Sequence, residues 1–277
     1  LNALSSALVA AAALAAAGCV SPEASAPAGA TGPSTGGVQT AAPCAHGSFA
    51  DFTESHFSGD AWRENVVCDY IGTSDVLVPV GLAVGALAIA PWDHSLASRA
   101  ADHRWSTGPG NAALGTLLVG SFALGALAPG EGRTAGDEIW TQAETQLTTA
   151  GAVEISKRVV GRDRPFSETP GSFPSGEAAA AFAAATLIDR NSGHALGYPA
   201  YGIAAIEAFA RVRRGSHFPS DVLAGAALGA FDAGVIDALH FGTGREGHGI
   251  SGRGPEVSVG LEVDPGGGIL GALTLRF

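Results

Sequence analysis

Residues 137–165 read DEIWTQAETQLTTAGAVEISKRVVGRDRP. Ile139, Trp140, Ala143, Leu147 and Ala150 recur at helical spacing, while Asp137, Glu138, Gln142, Glu144, Gln146 and Glu154 fill the turns between them. One apolar stripe on an otherwise polar helix predicts a helix laid against a protein core rather than immersed in lipid. Each charge at the centre of a lipid-embedded helix would cost about 2.5–3.5 kcal/mol. Pro165 stops the helix, whose last turn carries Lys157.

Working outward, further apolar segments fall at 76–90, 111–128, 177–189, 196–212 and 221–240, separated by Pro, Gly and charged clusters. Segments 76–90 and 111–128 are almost uncharged, but 196–212 contains Glu207 and 221–240 contains Asp232 and Asp237. The fold class predicted is all-α, a compact soluble bundle of about six Ala-rich helices; Ala is the best helix former. At the end of the chain Val257, Val259, Leu261 and Val263 alternate with polar residues or Gly, as do Leu273, Leu275 and Phe277. With the turn signal Asp264-Pro265-Gly266 between them, they predict a C-terminal β-hairpin.

Composition narrows the function. Of 277 residues 46% are hydrophobic and 15% charged, with a net charge of −11, so a generic nucleic-acid binder is excluded. Residues 1–18 are apolar and uncharged and read as a signal peptide. Ala16-Ala17-Gly18-Cys19 resembles a bacterial lipobox, which makes Cys19 the expected lipidation site. Residues 19–48, rich in Pro, Gly, Ser and Thr, read as a flexible linker. The helical domain is expected over 49–240, and a loop plus the hairpin over 241–277. The expected location is the cell envelope, as a periplasm-facing lipoprotein tethered through Cys19 rather than embedded by its helices. Cys44 and Cys68 could pair in an oxidising compartment.

Three segments carry chemistry. Lys157 and Arg164 bracket six residues in KRVVGRDRP; Lys offers a mobile point charge and Arg a planar fork for oxyanions. In SFPSGEA, residues 172–178, Ser175 is a candidate N-cap and Gly176 allows close approach to the exposed backbone N–H groups. In ARVRRGSHFPSD, residues 210–221, Arg211 precedes His217 by six positions and Asp221 follows it by four. Arg162, Arg213 and Arg214 lie nearby in sequence and read as solvated, and His94 and His240 as structural.

Together these segments resemble the type-2 phosphatidic acid phosphatases, related to class A acid phosphatases and vanadium haloperoxidases. That family's pattern is Lys, six residues, Arg-Pro; then Pro-Ser-Gly-His; then Ser-Arg, five residues, His, three residues, Asp. The chain matches at Lys157, Arg164, Pro165, Pro174, Ser175, Gly176, Arg211, His217 and Asp221, and departs at Ala210 and at Glu177, where the family has His.

The resemblance implies a metal-independent phosphatase acting on phosphate monoesters or lipid (pyro)phosphates through a phosphohistidine. His217 would be the nucleophile and Asp221 its orienting partner. Lys157, Arg164, Arg211, Ser175 and Gly176 would hold the phosphate, and Glu177 would stand where the family's acid stands. Burial would help Glu177 keep a proton, whereas the nearby cations would remove it. No cofactor is implied; vanadate would inhibit, or serve as cofactor were the chain a haloperoxidase. A lipoprotein that binds phosphate or lipid phosphate without turnover is the alternative that Glu177 leaves open. The membrane would be reached through the N-terminal lipid, and nucleic acid is not a partner.

Overall fold

The computed structural model describes residues 74–101 and 105–242, the positions 62, 66, 70 and 71, and the backbone of 256–263 and 269–276. The signal segment, the linker, Cys19, Cys44 and Cys68 lie outside the described residues. The chain divides into two units, Leu1–Gly242 and Thr243–Phe277.

In the first unit α1 spans Leu77–Ile89, α2 Asp93–Ala101, α3 Gly108–Leu127, α4 Ala135–Val160, α5 Gly176–Ser192, α6 His194–Arg213 and α7 Pro219–Phe241. Six of these, of 13 to 26 residues, answer to the six apolar segments. The nine-residue α2 has no counterpart in the sequence reading, because DHSLASRAA is short and too polar on average to stand out as an apolar segment. Between α4 and α5 a short antiparallel pair, β1 (Asp163–Arg164) and β2 (Ser167–Pro170), turns the chain back. The second unit contains the expected hairpin, β3 (Glu256–Val263) antiparallel to β4 (Ile269–Arg276).

Helix α4 starts on a reciprocal cap: Thr134 Oγ1 accepts from Asp137 N–H at 3.2 Å and the Asp137 carboxylate accepts from Thr134 N–H at 3.1 Å. It ends at Gly161, whose φ of +60° is the left-handed turn that Gly reaches without a Cβ penalty. Helices α5 and α7 pack almost backbone to backbone. A Cβ at Gly225 would lie 2.2 Å from the Ser175 carbonyl oxygen, and one at Gly229 2.0 Å from that of Ala179. The core around this contact is built of small residues, among them Ala178, Ala181, Ala185, Ala204 and Ala226.

The sidedness of α4 is the reverse of the expected one. Ile139, Trp140, Ala143, Leu147 and Ala150 all face outward, Leu147 with 75% of its surface exposed. Glu138, Thr141, Gln142, Thr145 and Thr149 are buried instead. Part of this polarity is paired inside the bundle, while Thr141 Oγ1, Gln142 Oε1 and Thr145 Oγ1 have no hydrogen-bond partner among the described residues. Asp232 accepts from the Thr148 and Thr149 hydroxyls at 2.6 and 2.7 Å, and His240 Nε2 lies 2.6 Å from Glu144. Arg133 bridges Glu138 and Asp237 at 3.1 and 2.8 Å, and Arg190 joins Asp237 to Asp75.

The charges that spoke against lipid are therefore mostly internal pairs, which removes the reason for excluding it. Glu154, half-exposed and paired with Arg158, is the exception. Outside, Leu77, Val80, Val84 and Leu87 on α1 and Val119 and Leu127 on α3 add to the apolar surface. Three segments, Leu77–Ala100, Gly108–Leu127 and Pro219–Phe241, are long and apolar enough to cross a membrane.

Candidate active site

Four helix ends meet at one end of the bundle. The last turn of α4 presents Lys157, and the loop after it presents Arg164 from β1. The first turn of α5 presents Gly176 and Glu177. The end of α6 presents Arg211 and Arg214, and the loop into α7 presents Ser216 and His217. These eight residues line one cavity of about 380 Å³. It combines four cations, a carboxylate, an imidazole and the start of a helix, whose unpaired N–H groups attract anions.

Local rules explain each placement. Ser175 caps α5, its hydroxyl accepting from Ala178 N–H at 3.4 Å, and its own N–H donates to the Asp221 carbonyl at 2.9 Å. It is fully buried and absent from the cavity lining, so it caps the helix instead of facing an anion as expected. A Cβ at Gly176 would stand 3.3 Å from Val153 and 3.8 Å from Lys157 Nζ, tight enough that a larger residue would press on the lysine. Arg164 is steadied by the Ser216 carbonyl, to which it donates at 3.2 Å.

His217 is 2% exposed, and its Nδ1 lies 2.7 Å from the Ser172 carbonyl oxygen. A carbonyl only accepts, so Nδ1 carries the proton and Nε2 keeps its lone pair. Burial pushes the imidazole down to about 4, against the pull of the Ser172 carbonyl and with the help of Arg164, Lys157 and Arg211. The ring is therefore neutral at ordinary pH.

Asp221 does not reach the ring as the relay spacing implied: its carboxylate is 4.0 Å from Nδ1, beyond hydrogen-bond distance. Its oxygens are taken by Arg162 at 2.7 Å, the Ser172 hydroxyl at 2.5 Å and Phe218 N–H at 2.9 Å. Asp221 thus holds Ser172, whose carbonyl holds His217.

Arg162, read from sequence as solvated, is an internal strut. It pairs with Asp221 and with Asp93 of α2, and its guanidinium lies 4.1 Å over the Phe218 ring. Asp93 also accepts from Ser220 N–H at 3.0 Å, and His94 meets Phe218 edge-on at 4.9 Å. No motif marks Asp93 or Ser172. Glu207 was legible, since it stands four residues before Arg211 on the same helix face.

Arg211 is 2% exposed and has a side-chain partner on every guanidinium nitrogen. Nε donates to Glu207, Nη1 to Glu177 at 2.5 Å and Nη2 to Asn111 of α3 at 3.1 Å. Gly110 makes room for this, since a Cβ there would come within 3.3 Å of Arg211 Nη2.

Residues 139–242 match the family model of the PAP2 superfamily. That segment is similar to PAP2 domains. It spans α4 to α7 and contains all eight cavity-lining residues, while Asp93 and Asn111 lie outside it.

Relatives include lipid A 1-phosphatase of Porphyromonas gingivalis, 33% identical over 103 residues, 36% of this chain and 23% of that protein. Decaprenylphosphoryl-5-phosphoribose phosphatase of Mycobacterium tuberculosis is 36% identical over 117 residues, 39% of this chain and 63% of that protein. The chain thus spans less than two thirds of either relative. A solved structure, the transmembrane PAP2-type phosphatidylglycerolphosphate phosphatase of Bacillus subtilis, is 20% identical, with a TM-score of 0.42. The match covers 59% of this chain and 94% of that one.

Proposed function

We propose that this chain is a phosphatase of lipid-linked phosphates, working at a membrane of the cell envelope without a metal. The observation that carries the reading is a neutral, buried His217 with its lone pair on Nε2, in a cavity with four cations. Lys157, Arg164 and Arg211 take the phosphoryl oxygens, and the Gly176 N–H adds a donor at the helix start. Nε2 attacks phosphorus, the bond to the ester oxygen breaks, and that oxygen leaves with a proton from Glu177, which took it from the monoanionic ester on leaving Arg211. Water then attacks the phosphohistidine and gives a proton back to Glu177, releasing orthophosphate and freeing His217. Asp221 acts through Ser172, orienting the imidazole.

The relatives' names, lipid A 1-phosphatase and decaprenylphosphoryl-5-phosphoribose phosphatase, support a lipid-linked substrate. So does the apolar exterior, which we place in contact with lipid beside the site. The periplasmic orientation and the lipid on Cys19 rest on the sequence alone.

A second reading, binding without turnover, is favoured by one contact, the Glu177–Arg211 ion pair that occupies an anion-binding group. Phosphate release from a panel of lipid phosphates, pyrophosphates and soluble monoesters, with and without vanadate, decides between them. Vanadate-sensitive release is expected. Orthophosphate binding with no release from any member would establish the second reading.

A further inference from the structure

Arg211 is the cation with a side-chain partner on each of its three guanidinium nitrogens. Glu207, fully buried on the same helix, holds Nε, and Asn111 holds Nη2. Glu177 holds Nη1, and its side chain is 44% exposed at the cavity wall. Two carboxyl groups on one guanidinium offset much of its positive charge. An incoming oxyanion cannot use Nη1 without meeting the Glu177 carboxylate at contact distance. Glu207 cannot give way, because it is sealed in the bundle. Glu177 can, because it stands in the open cavity, and Arg214 lines the same cavity as the next cation to receive it.

We infer that Glu177 is an internal competitor of phosphate: a carboxylate resting on Arg211 that every bound phosphate must displace, so that free orthophosphate is held weakly. This rests on the phosphatase reading and deepens it. A small phosphate ester or orthophosphate has only its own oxygens with which to displace Glu177. A lipid-linked phosphate also brings its apolar chains, whose transfer out of water is independent of the exchange. Glu177 therefore weakens soluble and lipid-linked phosphates by the same factor, a loss that the lipid's other contacts offset, and it favours release of orthophosphate once the ester bond is cut. The family's His at this position would not compete in this way.

The test separates binding from turnover. Orthophosphate affinity is measured by calorimetry on the full chain in detergent, for wild type and for Glu177→Gln, with Glu177→Ala as the second variant should Gln fold poorly. Removing the competing charge is expected to tighten orthophosphate about tenfold, a modest figure because Glu177 is partly solvated. KM for a soluble aryl phosphate and KM for a lipid phosphate should both fall by a similar factor. Unchanged or weaker orthophosphate binding in both variants overturns the inference. The calorimetric result stands even if no substrate is turned over, so failure of the phosphatase reading is seen separately.

Discussion

At the residue scale the decisive group is His217. Two features make it a nucleophile: the Ser172 carbonyl fixes its tautomer, and burial among cations keeps it neutral down to about pH 4. His217→Ala should abolish phosphate release, and turnover above a few per cent of wild type would remove it from that role. The acid limb of kcat/KM set by His217 should fall near pH 4, not near 6.5.

Stability should show the same group. Between pH 6.5 and 4 the unfolded chain takes up a proton at this position that the folded chain does not. Stability is therefore complete above the unfolded value and declines as pH falls through the window, by about 3 kcal/mol in all. Denaturant unfolding at pH 7 and 4.5, with His217→Gln as reference, measures it. An equal pH dependence in wild type and variant would contradict the assignment.

At the element scale the site depends on how closely α5 and α7 approach. Their first turns carry Gly176, Glu177 and Asp221, so any separation of the pair moves the oxyanion donors away from the imidazole. Gly229→Ala would place a methyl 2.0 Å from a carbonyl oxygen of α5. Because the obstacle is backbone, the helices must part, at a cost of about 3 kcal/mol. Chemical denaturation should register that loss, and activity should fall more than it does for Gly81→Ala, where a Cβ meets nothing within 4 Å. Equal effects of the two substitutions would show that the approach of α5 to α7 is not what aligns the site.

At the scale of the whole molecule the first unit carries ion pairs and threonine–aspartate bonds beside an Ala-rich core, and exposes many Leu, Val and Ile side chains on its surface. The expected outcome is that the protein stays with membranes through a carbonate wash and needs detergent for release. A Cys19→Ser variant should behave alike, since the apolar faces of α1, α3 and α4 do not depend on the lipid. Release of that variant by carbonate alone would mean that the anchor, not the helices, holds the protein.

The sequence by itself located six of the seven α-helices of the first unit and singled out Lys157, Arg164, Gly176, Glu177, Arg211 and His217, which the structure brings to one cavity. Apolar runs, Pro and Gly stops and a Thr-capped start are local signals, written within a few residues of where they act. The spacings of Lys157, Arg164, Arg211 and His217 survive because each lies at or next to a helix end, where chain position dictates direction. Tertiary structure alone decided which face of α4 is inside. An amphipathic stripe has the same period whether its apolar side meets a core or lipid, and the choice depends on whether partners such as Arg133, Asp232 and His240 await the polar side. It also decided that Ser172, not Asp221, touches His217, and that Glu177 rests on Arg211. Those contacts join residues 34 to 45 positions apart, and no local pattern records which lone pair will already be taken when they meet.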